Sequence, residues 1–338
     1  MIEQIINRFP GISCAYTDAN GNIVTECYGV SDREMRSLVD ENTIFPASSM
    51  SKFVTAILLM KLHEEKLIDI DAPVNDYLQQ WKLRKPNDHE SDATIRSIMC
   101  HTAGIQDGEN GFYGLRRSTP EISLMDILEG KTFYNCRPVR AEEPQGSAFV
   151  YSDAGYCVLQ LLIQEVTNQP LEEAAKEIIF DKLHLKNTFF ASTKNLAYSE
   201  NIRKMATGYD GAGIPIWGRF LPCPDLASSG LWSTPQEILA IAKAFLAAFN
   251  GTGDFLQEKS AHQIADPVAK FPWSGLGIFI CDADTLMTQG WGENGQSMMK
   301  MKCRTGQISV VMTNRNPQMD QTQSGVEWLV DYHMVLDK

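Results

Sequence analysis

The residues of this chain best suited to nucleophilic chemistry are Ser49 and Lys52, which lie three positions apart in the stretch FPASSMSKF. If a helix begins at Ser49, residues i and i+3 share one face, so the lysine amine can reach the serine oxygen. A serine hydroxyl is a weak nucleophile that needs an adjacent base, and burial can lower the pKa of a lysine enough to provide one. Serine is also a common helix N-cap, so this motif alone leaves both interpretations open.

A second candidate group, Tyr151-Ser152-Asp153, lies about a hundred residues later, just before an apolar helical pattern. A lysine beside Tyr151 favours the phenolate form of the tyrosine. Such a tyrosine can relay a proton between a nucleophile and a leaving group. The alternative is a core tyrosine whose hydroxyl is hydrogen-bonded.

Composition excludes several classes of function. The chain has 338 residues, 43% of them hydrophobic, and a net charge of −12. Nucleic-acid binding needs clustered Lys and Arg, and anionic membranes attract basic segments, so we expect neither partner. The sequence does not indicate an oligomeric state.

The cellular compartment is predicted from the N-terminus and the cysteines. The N-terminus, MIEQIINRFPG, has no apolar secretory segment, and the apolar run FVTAILLM is too short for a membrane span. The eight cysteines are scattered without CxxC spacing, which favours reduced thiols in a cytoplasmic protein. No His/Cys spacing indicates zinc, and we expect neither a metal nor a cofactor.

The elements that must position these residues follow from hydrophobic patterning. Two strands around the Asn20-Gly21 turn predict an N-terminal hairpin, and strands return near the C-terminus, before a helical tail over 322–336. The predicted strands are 12–17, 22–28, 275–281, 297–303 and 308–313. The predicted helices begin at Ser51, cover 94–100 and 156–167, and cover 234–249 with Thr234 as cap and Pro235 in the first position.

Strands at both termini around a helical middle predict one sheet built from both ends of the chain. We expect an α/β (α+β sandwich) fold in which helices flank an antiparallel sheet. The whole chain, 1–338, is expected to form a single catalytic unit. Its sheet subdomain covers about 1–50 and 270–338, and its mostly helical region covers about 51–269.

The sequence resembles a known family over nearly its whole length: the serine β-lactamase-like and penicillin-binding-protein-like hydrolases, nearest the class C β-lactamase and esterase branch. The segments that carry the resemblance occur in the family order. They are TIFPASSMSKFVTAILLMKLHEEKLIDIDAPVNDYL, TIRSIMCHTAGI, FVYSDAGYCVLQLLIQEVTNQPLEE, LHLKNTFF, LASSGLWSTPQEILAIAKAFL, GLGIFI and ISVVMTN. The resemblance implies Ser49 as nucleophile, Lys52 as its base partner, Tyr151 as proton shuttle, and the β-lactamase/transpeptidase-like fold.

The sequence departs from the family pattern in its second motif, which usually ends in Asn and here ends in Asp153. Asp cannot donate an amide N–H unless it is protonated, which disfavours recognition of a β-lactam amide. A carboxylate near Lys52 also raises the pKa of the lysine, so Lys52 could act as a positive partner rather than a free base.

The third motif, usually Lys-Thr-Gly or His-x-Gly, departs as well. Two registers are possible in MTQGWGENGQSM: Thr288-Gln289-Gly290, which fits best, or Gln289-Gly290-Trp291. Both lack the cation or imidazole, which weakens the case for a substrate carboxylate. The resemblance implies an oxyanion hole of two backbone N–H groups, and side-chain changes leave such donors in place. We assign them to Ser49 and Trp291, with Asp153, Thr288, Gln289 and Gly290 in substrate binding and Trp291 as an apolar wall.

Two other patterns are less informative. Residues 290–295 match G-x-G-x-x-G, but a dinucleotide site needs that motif after the first strand of a βαβ unit, and here it comes late in the chain. His101, in CHTAG, is of a residue type that can act as a catalytic base, but we predict a structural role for it.

The leading hypothesis is therefore a serine hydrolase that cleaves a small ester or amide through an acyl-enzyme. The first alternative is a β-lactamase or D-alanyl carboxypeptidase. The second is a non-catalytic binder or sensor that captures an acyl ligand without turnover.

Overall fold

A computed structural model describes residues 2–109, 111–115, 121–192 and 200–335 of the chain. The strands of this part are β1 Gly11–Thr17, β2 Ile23–Asp32, β3 Ser37–Leu38, β4 Phe45–Pro46, β5 Phe189–Phe190, β6 Leu231–Ser233, β7 Phe279–Ile280, β8 Thr285–Gly292, β9 Gly295–Lys302 and β10 Ile308–Thr313. Its α-helices are α1 Ile2–Ile6, α2 Ser51–Glu64, α3 Ile95–Met99, α4 Leu124–Leu128, α5 Asp153–Thr167, α6 Leu171–Ala175, α7 Leu226–Ser229, α8 Pro235–Phe249, α9 Glu258–Ala265, α10 Gln321–Ser324 and α11 Val326–His333.

Strands from both ends of the chain form one antiparallel sheet of seven strands, in the order β3-β2-β1-β10-β9-β8-β7. The N-terminal strand β1 pairs directly with β10, with Cys14 opposite Val311. A separate small sheet has the order β4-β6-β5. The predicted fold class, an antiparallel sheet built from both chain ends with helices around it, is confirmed.

Helices cover both faces of the large sheet, because its central strands are apolar on both sides. All residues of β1 and β10 are buried, as expected for strands covered on two faces. On one face, α8 packs against β1 and β10 beside the long helix α2. On the other face, α1 and α11 close a smaller apolar cluster. The sheet is therefore the middle layer of the fold.

Most of the predicted elements are present, and their local signals explain their ends. Thr234 caps α8 by accepting a hydrogen bond from the N–H of Glu237, with Pro235 in the first turn. The predicted helix over 156–167 begins earlier, at Asp153, because the side chain of Ser152 caps it. The predicted tail helix is divided in two at Gly325, which has a φ of 91°, and Leu336 lies outside the described residues.

One predicted strand is mostly wrong. Of the range 275–281, only Phe279–Ile280 pairs with β8. Gly277 instead adopts a φ of 69°, and a Cβ there would lie 2.6 Å from the carbonyl oxygen of Lys52. The apolar run is thus a close approach of backbone to α2 rather than a regular strand. Within the described residues, no helix is both long and apolar enough to cross a membrane.

Candidate active site

The candidate nucleophile Ser49 lies in a short 3-10 turn, Ser48–Met50, that leads directly into α2. Ser48 has a φ of 47°, a left-handed conformation that costs energy for a non-glycine residue. The hydroxyl of Ser51 donates to the carbonyl oxygen of Ser48 at 2.6 Å and accepts from the N–H of Leu231 at 3.0 Å. Met50 occupies the N-cap position of α2, so the N-cap interpretation of Ser49 does not hold.

Lys52 is the second residue of α2 and is 2% exposed. Its ammonium donates to three oxygens in the described part of the chain: Ser49 Oγ at 3.2 Å, Asp153 Oδ1 at 2.6 Å and the carbonyl of Ser228 at 3.2 Å. Burial opposes the charge, but the attraction of Asp153, followed by that of Tyr151, outweighs it, and the pKa of Lys52 is raised above its usual value. Lys52 is therefore a fixed cation beside the serine, as Asp153 led us to expect.

Tyr151 precedes α5 and lies against both Lys52 and His101. The ammonium of Lys52 is 4.7 Å from the centroid of the tyrosine ring, and Lys52 and Ser49 both lie near the hydroxyl. The residue as a whole is 37% exposed. Burial of the hydroxyl nevertheless raises the pKa of Tyr151, with Asp153 adding to it, and the opposing effect of Lys52 is smaller. Lys52 thus favours the phenolate form of Tyr151, as expected, but the effect of burial is larger and the pKa of the tyrosine stays raised.

The third-motif residues lie on β8, next to the nucleophile turn. Thr288 and Gln289 line the same cleft as Ser49 and Lys52. Gly290 lies against the backbone that precedes Ser49, since a Cβ on this glycine would be 2.2 Å from the carbonyl oxygen of Ala47. Glycine therefore permits β8 to approach the turn this closely.

The backbone of Trp291 faces the open side of β8. Gln296, its partner on β9, directs its own N–H and C=O to the side chain of Thr313 on β10. In an antiparallel pair such a residue does not exchange hydrogen bonds with the one opposite, so the N–H of Trp291 points away from β9. β7 pairs with β8 only at Leu286 and Met287, and therefore leaves this edge of Trp291 uncovered. The indole donates to Asn316 Oδ1 at 2.7 Å.

These elements form a narrow cleft. Its polar lining holds the candidate catalytic residues, and its apolar side is formed by Ile278 and Phe279. Its lining residues are Ser49, Lys52, His101, Tyr151, Ser274, Gly277, Ile278, Phe279, Thr288 and Gln289.

His101 has structural contacts, in agreement with the role predicted for it, but the sequence did not indicate that it supports Tyr151. The two rings stack with centroids 4.4 Å apart. Burial, with a smaller effect of Lys52, holds the pKa of His101 well below its usual value, so the ring is neutral. Nδ1 of His101 accepts the N–H of Ser152 at 3.1 Å, which leaves the proton on Nε2. His101 thus orients the second motif.

Two carboxylates near Asp153, the partly buried Asp107 and the buried Asp225, were also missed. Asp107 accepts hydrogen bonds from the N–H groups of Asp153 and Ala154, at 3.0 and 2.9 Å, so it fixes the start of α5. Burial and then the charge of Asp153 raise the pKa of Asp107, and the same causes raise that of Asp225 to about 7. Neither has a local sequence signal, because each is far from its partners along the chain. Within the described residues, no group of three or more His, Cys, Asp or Glu is placed to hold a metal ion.

The residues 290–295 form a hairpin, because Gly290 and Gly292 belong to β8 and Gly295 opens β9. The glycine pattern therefore does not open a helix, as a dinucleotide site requires.

The chain matches the Beta-lactamase family model over residues 1–330. It is 26% identical to the unguisins hydrolase ungD of Aspergillus violaceofuscus over 58% of this chain and 34% of that one. It is 25% identical to esterase EstB of Burkholderia gladioli over 56% of this chain and 50% of that one. The chain thus spans between a third and a half of the length of these two relatives.

A solved structure shares the fold. The octameric penicillin-binding protein homologue from Pyrococcus abyssi superimposes with a TM-score of 0.79 over 99% of this chain and 75% of that one, at 20% sequence identity.

Proposed function

The chain belongs to the Beta-lactamase family, and from its cleft we propose that it is a serine hydrolase that cleaves small esters or amides through an acyl-enzyme on Ser49. The observation that carries the proposal is the contact of 3.2 Å between Lys52 Nζ and Ser49 Oγ, in a cleft that also contains Tyr151. A nucleophile and its partner within hydrogen-bonding reach are the signature of an activated serine.

In acylation, Tyr151 first loses its phenol proton to solvent, and the phenolate then takes the proton of Ser49 Oγ as this oxygen attacks the substrate carbonyl. Lys52 remains an ammonium and stabilises the phenolate form that accepts this proton. Tyr151 then gives the proton to the leaving oxygen or nitrogen, and the acyl group stays on Ser49. In deacylation a water molecule takes the place of the leaving group, with Tyr151 accepting its proton and returning it to Ser49 Oγ.

The negative charge that develops on the carbonyl oxygen is stabilised by the backbone N–H groups of Ser49 and Trp291. Ser49 lies in the 3-10 turn that leads into α2, and the first N–H groups of a helical segment lack intrahelical partners. Trp291 supplies its N–H from the uncovered edge of β8. Two backbone donors of this kind form an oxyanion hole.

We favour a small ester as substrate over a β-lactam or a D-alanyl peptide. Thr288 occupies the third-motif position where the family usually has a cation, so the cleft has no obvious partner for a substrate carboxylate there. The apolar side of the cleft at Ile278 and Phe279 suits an acyl chain. The name of esterase EstB agrees with this preference.

We further propose that residues 1–338 act as a single catalytic unit in the cytoplasm. Support for one unit comes from the sheet, which joins strands from both ends of the chain. The compartment is supported by the cysteines, since all eight lie in the described residues as free thiols, and disulfides are rare in the cytosol.

The test is turnover of p-nitrophenyl acetate and butyrate, and separately of a penicillin, combined with intact mass. We expect ester turnover that falls by at least about 10⁴-fold in Ser49→Ala and is unchanged in Ser147→Ala, a matched change on an exposed loop. Stable penicilloylation at Ser49 would instead place the chain with the β-lactam-reactive branch. Acylation without release would support the binder hypothesis, and no reaction with any substrate would contradict the proposal.

A further inference from the structure

A buried network beside Lys52 connects Asp225 to the ammonium. Asp225 is 1% exposed and Ser228 is fully buried. The hydroxyl of Ser228 donates to Oδ2 of Asp225 in a short hydrogen bond, and the hydroxyl of Tyr134 donates to Oδ1 at 2.8 Å. The carbonyl of Ser228 accepts the ammonium of Lys52 at 3.2 Å. Asp225 therefore reaches Lys52 through a single residue.

Two acceptors of the Lys52 ammonium are held in the same way. Asp107 fixes the backbone of Asp153, whose carboxylate accepts from Lys52. Asp225 fixes Ser228, whose carbonyl accepts from Lys52. In each case a carboxylate that does not touch Lys52 holds a group that does.

This arrangement has a chemical consequence for the lysine. A buried ammonium has three N–H donors and must satisfy each one. With one donated to Asp153 and one to the Ser228 carbonyl, only the third is directed at Ser49 Oγ. A displaced Ser228 carbonyl would free a second N–H and allow the ammonium to turn away from the serine.

We propose that Asp225 is a positioning residue, which holds the Ser228 carbonyl on Lys52 through the Ser228 hydroxyl and thereby fixes the direction of the lysine toward Ser49. The inference rests on the proposed function, because it assigns Lys52 to the reaction. Asp225 itself does not touch the reacting atoms.

Other hydrogen bonds restrict the movement of α7, but they do not replace the bond between the Ser228 hydroxyl and Asp225. The carbonyl of Ala227 accepts from Thr55 Oγ1 at 2.8 Å, and its N–H donates to Gln160 Oε1 at 3.1 Å. These bonds hold α7 against α2 and α5, so removal of the Ser228 hydroxyl is expected to reorient one peptide group rather than unfold the helix.

The experiment compares Ser228→Ala, Asp225→Ala, their double variant and Asp225→Asn in the burst of p-nitrophenol from p-nitrophenyl butyrate. A hydrogen bond to a charged group corresponds to a rate loss of about tenfold to hundredfold. We expect a loss of this size in the acylation rate of Ser228→Ala, with unchanged KM. The double variant should be no slower than the slower single one, because both changes break the same link. Asp225→Asn keeps an acceptor for the hydroxyl and should recover part of the rate.

The control is Ser309→Ala, since Ser309 is also fully buried and its hydroxyl contacts the titratable ring of His333 at 3.3 Å, outside the cleft. The proposal is overturned if Ser228→Ala acylates as fast as the wild type. It is also overturned if Ser309→Ala loses as much of the acylation rate as Ser228→Ala, or if the losses of the two single variants multiply fully in the double variant. Ser228→Ala carries the test if Asp225→Ala does not fold.

A second readout does not depend on turnover. The ¹³Cε resonance of Lys52, assigned with Lys52→Arg, is expected to shift in Ser228→Ala and to stay in place in Ser309→Ala. If none of the esters acylates the wild-type chain but this resonance shifts as expected, the proposed function fails and the positioning role stands. If esters are turned over and the resonance does not move, the positioning role fails.

Discussion

Replacing Asp153 by asparagine removes the negative charge nearest to Lys52 and keeps an acceptor oxygen of the same shape. Oδ1 of Asp153 lies 2.6 Å from Nζ of Lys52, and the side chains are 21% and 3% exposed. Two unit charges about 4 Å apart interact by ~4 kcal/mol at an effective dielectric constant of about 20, which corresponds to ~3 pKa units. Because Asp153 is partly exposed and asparagine retains the hydrogen bond, we expect the pKa of Lys52 to fall by about 1–3 units.

The same charge raises the pKa of Tyr151, so Asp153→Asn lowers the pKa of both groups. The group that takes the proton of Ser49 must be deprotonated, and activity therefore rises with pH through its pKa. We expect this rise in kcat/KM to move to lower pH by about 1–2 units, with roughly a tenfold gain near neutral pH for each unit. Asparagine is also the residue that the family motif usually carries at this position.

The assay is kcat/KM for p-nitrophenyl butyrate from about pH 5 to about pH 10, followed at a wavelength where the phenol and its anion absorb equally. Asp92→Asn is the matched control, because it removes one carboxylate that is 79% exposed and pairs with Lys85 at the surface. A pH profile that does not move in Asp153→Asn, or that moves as far in the control, would refute the reasoning.

Three further predictions concern other parts of the site. Trp291→Pro removes the proposed oxyanion donor and should lower kcat by about 10²–10³-fold, whereas Trp291→Ala keeps the N–H and should stay within about tenfold of the wild type; equal losses would argue against this donor. Gly290→Ala places a Cβ 2.2 Å from the carbonyl oxygen of Ala47, so urea titration should show a free energy of unfolding lower by ~1–3 kcal/mol, and an unchanged midpoint would contradict the close approach. The pKa of Asp225 is about 7 in the folded chain against a usual 3.8. Between these two pH values the native state holds a proton that the unfolded chain has lost. The free energy of unfolding therefore falls as pH rises through this range, by up to ~1.4 kcal/mol per pH unit. Asp225→Asn should remove this fall, and an unchanged slope in urea titrations at several pH values would count against the buried carboxylate.

The sequence was most informative where a signal is local. The cap at Thr234 and the proline at Pro235 predicted the start of α8, and alternating apolar residues around Asn20-Gly21 predicted the β1–β2 hairpin. The i, i+3 spacing predicted that Lys52 would reach Ser49, since a helical turn brings these positions together. The identity of Asp153 predicted the direction of the change in the pKa of Lys52.

The sequence was less informative where distant segments meet. The pKa of Tyr151 is raised because its hydroxyl is enclosed by parts of the fold that no local pattern predicts. Burial there changes the pKa more than the neighbouring lysine does. In the sequence, nothing distinguishes Asp225 from the many other acidic residues. Its role depends on the fold, which brings it next to Tyr134, 91 positions away along the chain. The bend at Gly277 likewise depends on its contact with α2.

The pairing of β1 with β10 also determines when the protein can become active during synthesis. Cys14 and Val311 face each other across this pair, so a nascent chain makes its first strands long before their partner leaves the ribosome. Contacts of such large sequence separation form slowly, and an unpaired strand edge invites association with other chains. The strand beside Ser49 is translated almost as late. Growing chains should therefore hold an open β1 edge without catalytic activity, and their yield on expression should depend on chaperones that cover it.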